Sequence, residues 1–330
     1  MNDIEQFGRE NLVKIANWYY VSGMTQEQIA VKLNCSRQRI NRIIKSLVDL
    51  GVVTIQINGG DSGCLALEDA LERRFGLCRA VVAGVDAYPE QSSLELCKKG
   101  ARYLETFIAN RQTVGISCGS TLSQLVACMR TQVKSLCQVV QLVGTLNTRR
   151  QANVIRPDTT ARLLAKKLSC GCSLLYAPGL SSAGREEALS LPDIRRTMDS
   201  FATCDIALVG IGRLVPGCAV HKLGAADEEE LAQAAQGNCA GEVALNRYTL
   251  EGKGLGPAFD RAIGVDMETL KHIPYVIAVA GGLCKADAVL GALRTGCIDV
   301  LIVDSLLARK LLEKPGTPGS EADGQHGRCL

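Results

Sequence analysis

Apolar positions fall at helical spacing in two short stretches near the start of the chain and in near-continuous runs further along it. Leu12, Ile15, Ala16, Tyr19 and Tyr20 repeat every three to four residues, which predicts an amphipathic helix. Ile29, Ala30 and Leu33 repeat the pattern. After a break at Asn34-Cys35-Ser36 the stripe resumes as Ile40, Ile43, Ile44 and Leu47. Ser36 suits the start of that last helix, because its hydroxyl can accept from a first-turn N–H. Two short helices across a capped turn, with a supporting helix in front, predict a helix-turn-helix. The Trp18-Tyr19-Tyr20 run reads as aromatic bulk for the core of so small a domain. Gly51 stops the second helix, VVTIQIN (52–58) alternates as a short strand placed as a wing, and NGGDSG (58–63) is a linker by composition.

Beyond the linker the pattern changes. Apolar runs at 79–85, 113–117, 137–144, 172–177, 204–212, 275–282 and 299–304 read as strands. Helical stretches between and after them include 65–75, 94–108, 121–129, 159–168, 286–293 and 305–312. Near-continuous apolar strands alternating with helices predict a parallel sheet covered on both faces. The expected fold class is therefore α/β: an all-α helix-turn-helix domain with a wing, joined to a large, doubly wound, mostly parallel domain. The expected boundaries are 1–57 for the DNA-binding domain, 58–63 for the linker, 64–312 for an effector-binding and oligomerisation domain, and 313–330 for a disordered tail rich in Gly, Pro and charge.

Composition narrows the function. The formal net charge is only +3, from 37 basic and 34 acidic residues, so any nucleic-acid contact is local rather than a global field. No apolar run reaches the roughly 20 residues that span a bilayer, and MNDIEQFGREN lacks the basic and apolar regions of a secretion signal. The expected location is the cytoplasm, with no membrane partner. Fifteen cysteines are dispersed without a CxxC pair; the tightest spacing is Cys170 to Cys172. His221, His272 and His326 stand far apart, none with a second ligand at a zinc-like interval. The cysteines read as small buried hydrophobes, and neither a metal site nor a cofactor is expected.

Two sets of residues carry chemistry. Opposite the apolar stripe of the second helix, Arg37, Gln38, Arg39, Asn41, Arg42 and Lys45 form a face with no acid before Asp49. Arg suits guanine edges, Gln and Asn suit adenine, and Arg and Lys neutralise phosphates. Double-stranded DNA is the expected partner of this face. The second set lies at strand ends, where open α/β sheets bind ligands. Ser117-Cys118-Gly119-Ser120-Thr121 opens a helix whose amides suit a phosphate or acidic sugar; the same turn reads equally well as a plain cap by Ser120 or Thr121. Gly210-Ile211-Gly212 resembles the start of a dinucleotide loop but lacks the third glycine. Gly281-Gly282-Leu283-Cys284-Lys285 brings a lysine to a helix start, against the helix dipole. That placement fits either an anionic ligand or a solvated side chain.

As a set and in this order, the 14–57 segment, VGISCGSTL, DIALVGIG and AVAGGLCKADAVLGALRTGCIDVLIVD resemble the SorC family of bacterial transcriptional regulators, over roughly residues 10–312. The resemblance implies a sugar-binding domain related in fold to sugar-phosphate isomerases. It also implies a sugar, polyol or sugar-phosphate effector, and a homodimer or homotetramer on palindromic operator DNA. Residue by residue it assigns the effector to Ser117, Gly119, Ser120, Thr121, Gly212, Gly281, Gly282 and Lys285. In LNRYTLEG (245–252) Thr249 stands where many relatives carry an acid that holds ligand hydroxyls.

A ligand-responsive regulator of carbohydrate use is thus the leading expectation, with no catalytic residues. The alternative is an isomerase-like enzyme carrying an accessory helix-turn-helix. Proton shuttling at a sugar carbon needs a carboxylate in the pocket, and the strand-end turns read from sequence contain none. Asp205 opens its strand and Asp304 begins the last helix.

Overall fold

The computed structural model describes residues 8–54, 62–85, 89–145, 156–179, 185–218, 221, 228–255 and 262–314, and the chain falls into two compact units, 1–62 and 63–330. In the first, α1 (Gly8–Ala16) runs on through one wider π-helical turn (Asn17–Val21) to α2 (Gln26–Lys32) and α3 (Arg37–Ser46). Thr25 starts α2 with a reciprocal cap: its hydroxyl accepts from Gln28 N at 3.2 Å, and Gln28 Oε1 accepts from Thr25 N at 2.9 Å. Ser36 Oγ accepts from Arg39 N at 3.2 Å and starts α3. Asn34, at φ 49°, makes the sharp corner between the helices. Leu12, Ile15, Ala16, Ile29, Ala30, Ile40, Ile43, Ile44 and Leu47 form one buried cluster. Trp18 and Tyr19 pack on it, whereas Tyr20 is 46% exposed; the wider turn rotates it off the helical stripe. No strand forms over Val52–Thr54, where Val52 and Val53 instead pack on the helical core. The remainder of the expected wing, 55–58, lies outside the described residues, as do 58–61 of the linker and 315–330 of the tail. Ser62 and Gly63, expected as linker, already belong to a helix.

That helix, α4 (Ser62–Phe75), opens the second unit. Its strands are β1 (Arg79–Ala83), β2 (Thr113–Ile116), β3 (Gln138–Gln141), β4 (Gly171–Ser173), β5 (Ile206–Gly212), β6 (Cys239–Val243), β7 (Asn246–Thr249), β8 (Tyr275–Ala280) and β9 (Val300–Asp304). Seven of them lie side by side in the order β1-β9-β8-β5-β2-β3-β4, all parallel. One face is covered by α5 (Pro89–Phe107), α6 (Ser120–Cys128) and α7 (Pro157–Leu168) over Val114, Ile116, Val139, Leu208 and Ile302. The other is covered by α4, α8 (Arg185–Leu189), α9 (Pro192–Asp199), α10 (Glu228–Gln236), α11 (Met267–His272), α12 (Ala286–Arg294) and α13 (Ser305–Glu313). With both faces buried, the strands carry little polar residue, which is why they read as apolar runs.

Strands β6 and β7 are a departure from the expected sheet. They form an antiparallel hairpin whose β6 pairs with the end of β5, Ile211 against Val243 and Gly212 against Glu242. In open sheets of this kind ligands bind where the strand order reverses. From β2 the chain steps outward through β3 to β4, then returns to β5 and steps outward the other way through β8 and β9. The reversal between β2 and β5 opens a crevice at their carboxyl ends.

Candidate functional site

On α3 the buried stripe leaves Arg37, Gln38, Arg42 and Lys45 fully outward, with Arg39 and Asn41 half-buried at its margins. Asn41 is tied inward: its Oδ1 accepts from Gln26 Nε2, at the start of α2, at 3.4 Å. Arg37 Nε lies 4.0 Å from Glu27 Oε2, with both side chains about 70% exposed, an ion pair worth little in water. The face turns three cations and one amide outward, and a second amide is held in orientation by its neighbour helix.

At the β2–β5 crevice the floor is glycine. Ser117, buried after β2, accepts on Oγ from Gly210 N at 3.4 Å and so joins the two strand ends. A Cβ on Gly210 would meet Cys118 O at 3.3 Å. Helix α6 is capped by Gly119 at φ 145°, and no side chain caps it. Neither Ser120 nor Thr121 therefore serves as the cap, and the first-turn amides are left for another acceptor. On the far side, Gly282 turns at φ 92°, and its N–H donates to Asp304 Oδ2 at 2.6 Å while Asp304 Oδ1 takes Leu307 N at 2.8 Å. This turn aims Lys285 back across β5, where Nζ donates to Ile211 O at 2.9 Å.

An acid completes the recess. Glu242 on β6 lies over Gly212, so closely that a Cβ there would fall 2.0 Å from Glu242 Oε1. Its other oxygen accepts from Leu245 N at 2.9 Å. The two turn residues of the hairpin, Ala244 and Leu245, both sit at positive φ, 49° and 68°. A tight hairpin turn demands that backbone, but glycine and asparagine usually supply it. Here Asn246 holds it, donating from Nδ2 to the carbonyls of Val243, Ala244 and Val265 at 2.9–3.2 Å. Burial pushes the Glu242 carboxyl above its usual range, against the pull of Leu245 N–H, Lys285 and Arg247. Burial likewise pushes the Lys285 ammonium down, with Glu242 opposing. The Cys118 thiol rises to about 12, first by burial and then by the nearby Glu242. The two charged groups act on each other electrostatically at the end of β5, with Arg213 also near Lys285 and Arg247 near Glu242.

The structure gathers Ser117, Gly119, Ser120, Thr121, Gly212, Gly281, Gly282 and Lys285 around the carboxyl ends of β2, β5 and β8. Thr249 is the exception. It closes β7, its N–H donating to Lys253 O at 2.9 Å, and its carbonyl lies against Gly291, midway along α12. The hairpin carries it along the flank of α12, while Glu242 on the preceding strand lies against Gly212. The turns read from sequence held no acid because Glu242 arrives from a hairpin that the pattern did not reveal. Its one legible trace was the alternation of Cys239, Gly241 and Val243 around it. Among the described residues no three His, Cys, Asp or Glu converge as metal ligands do.

Residues 61–313 match the Sugar-bind family, described as "Putative sugar-binding domain", and the similarity to full regulators extends through the helix-turn-helix as well. The chain is 30% identical to the sorbitol operon regulator of Klebsiella pneumoniae over 311 residues, covering 92% of this chain and 97% of that one. It belongs to the SorC family of transcriptional regulators. Another family relative, the deoxyribonucleoside regulator of Bacillus subtilis (strain 168), is 28% identical over 305 residues, covering 91% and 96% of the two chains. The crystal structure of full-length SorC from Klebsiella pneumoniae superposes with a TM-score of 0.71 at 27% identity, over 92% of this chain and 99% of that one. As a SorC-family protein, the chain pairs a helix-turn-helix with a sugar-binding domain. No helix among the described residues is long and apolar enough to cross a membrane.

Proposed function

We propose that the protein regulates a carbohydrate-utilisation operon from the cytoplasm, binding operator DNA as a dimer or tetramer with an affinity set by a sugar, polyol or sugar phosphate. The observation that carries the effector reading is that Glu242 and Lys285 border the same end of β5, one at Gly212 and the other at the Ile211 carbonyl. A carboxylate accepts hydroxyl protons and repels phosphate, so the hydroxylated end of the ligand belongs at Glu242 and Lys285. Any phosphate belongs at the uncapped amides after Gly119. The names of the relatives, which include regulators of sorbitol and deoxyribonucleoside use, support ligands of this kind. On the DNA side, Gln38 and Asn41 are the base readers, and Arg37, Arg39, Arg42 and Lys45 contact phosphates or guanine. A thermal-shift panel of polyols, aldoses and their phosphates tests the pocket, since a ligand of the folded state raises the melting temperature. The best hit should also change operator affinity in a gel shift. A panel in which nothing raises the melting temperature sets the reading aside.

A further inference from the structure

We propose that Gln26, on α2, is a specificity-determining residue of the DNA face: it fixes which way round the Asn41 amide meets a base, and so commits one position of each half-site to adenine. The proposal rests on α3 as the reading helix and adds to it a residue from outside that helix. Two contacts show that the first turn of α2 runs beside one row of α3. Gln26 Nε2 donates to Asn41 Oδ1 at 3.4 Å, and Glu27 Oε2 lies 4.0 Å from Arg37 Nε. Arg37 and Asn41 are four residues apart and so share a side of the helix. The start of α2 is itself fixed by the reciprocal Thr25–Gln28 cap, and both helices are anchored in one core through Ile29, Ala30, Ile40 and Ile43. Gln26 and Asn41 are half-buried, whereas Gln38 is exposed.

An unrestrained asparagine amide offers the groove either order of its oxygen and nitrogen. Adenine accepts one order only, because its N6 amino group needs the oxygen and its N7 needs an N–H. Gln26 restricts the choice. Its Nε2–H occupies one lone pair of Asn41 Oδ1; the oxygen keeps the other, and Nδ2 keeps both protons. An acceptor and a donor thus remain side by side on one amide, the pattern that adenine pairs with. Reversing Asn41 would set its Nδ2 donors against the Gln26 Nε2 donors, so reversal requires both amides to turn together. A side chain ordered before DNA arrives also loses less entropy on binding.

The test is selection by the full-length protein from a pool of duplexes randomised over roughly 30 base pairs, enough for two half-sites one helical turn apart, with the bound fraction sequenced. Wild type should prefer adenine by about tenfold at one position of each half-site, the size a bidentate contact provides. Asn41→Ala should abolish that preference and so mark the position. There, Gln26→Ala should cut the preference by at least about threefold. Gln26→Glu, which only accepts, should draw the Asn41 Nδ2 donors to itself and make adenine a disfavoured base. Gln26→Lys, which only donates, should keep the preference. All other positions should read as in wild type. A first-turn glutamate suits the helix dipole, so Gln26→Glu tests the contact in a folded domain, and its melting temperature checks this. An adenine preference unchanged in both Gln26→Ala and Gln26→Glu overturns the proposal. So does an equal loss at every position, which marks a purely structural role for Gln26. If Asn41→Ala alters no position, Asn41 is not a reader and the proposal falls, while a position lost in Gln38→Ala keeps the α3 face as the reader. If wild type enriches no sequence, the reading of α3 falls and takes the proposal with it.

Discussion

Single atoms set the chemistry of both sites. Gly212 has an ordinary backbone, so its lack of a side chain matters only because Glu242 lies on it. In Gly212→Ala the new methyl must displace the carboxylate, whose other oxygen is bound to Leu245 N–H. We expect a lower melting temperature without ligand, from the displaced carboxylate and the loosened turn, and loss of most of the ligand-induced rise. An unchanged rise would show that Glu242 does not touch ligand. On α3 the exposed Gln38 is free to face a base, and Gln38→Ala should cost roughly 1–3 kcal/mol at a cognate operator if the contact is bidentate. Lys45→Ala should weaken all DNA alike and flatten the salt dependence. Equal losses on operator and random DNA for Gln38→Ala would remove it from base readout. The sequence places Asn41 on the polar face of α3 but does not show its restraint, since the bond from Gln26 crosses fifteen residues of chain. The same limit hid Glu242: nothing local to it announces that Gly212 and Lys285 lie beside it.

Elements were legible where one face is buried against a regular period. The stripes of α2 and α3, the cap at Ser36 and the seven parallel strands follow from that period alone. The β6–β7 hairpin was not, because Ala244-Leu245 carries no turn signal and adopts its backbone only through Glu242 and Asn246. Helix starts do more than end a strand, as Asp304 shows. It caps α13 and also holds the Gly282 turn that aims Lys285. Asp304→Ala should therefore lower stability by about 2–3 kcal/mol, from a lost cap and a buried donor left unpaired, and should blunt the ligand response as well. A denaturant titration with and without ligand separates the two effects. Glu105, on α5, fastens the end of α6: burial alone raises its carboxyl, but bonds from Arg130 N, Nε and Nη2 outweigh burial and lower it below the ordinary 4.5. A carboxyl lowered in the fold stabilises above its unfolded value, and that stability is lost as pH falls through the folded value. Glu105→Gln should thus melt below wild type at pH 7, with the gap closing under about pH 4. A gap of constant size across that range would show that the ionised form is not what stabilises.

At the scale of the whole molecule, the proposed regulation requires a free-energy coupling between the DNA-binding and the sugar-binding unit. A single helix-turn-helix reads too little DNA for high specificity, and paired half-sites lie about one helical turn apart or a multiple of it. Light scattering should accordingly report a dimer or larger species on operator DNA, and a monomer both free and bound would contradict that. Ligand changes operator affinity only to the extent that it binds the DNA-competent and incompetent arrangements differently. By the same linkage, operator DNA must shift ligand affinity by the same factor and in the same direction. Lys285→Met keeps the stem of the side chain but removes the ammonium opposite Glu242, in the unit that does not contain α3. Operator binding without ligand should stay within about threefold of wild type, a difference of roughly 0.7 kcal/mol, while the shift produced by the best thermal-shift hit disappears. A gel-shift titration in the presence and absence of that hit measures both. If Lys285→Met responds to the ligand as wild type does, Lys285 is not part of the effector site, and the recess between β2, β5 and β8 is not where the regulatory signal enters.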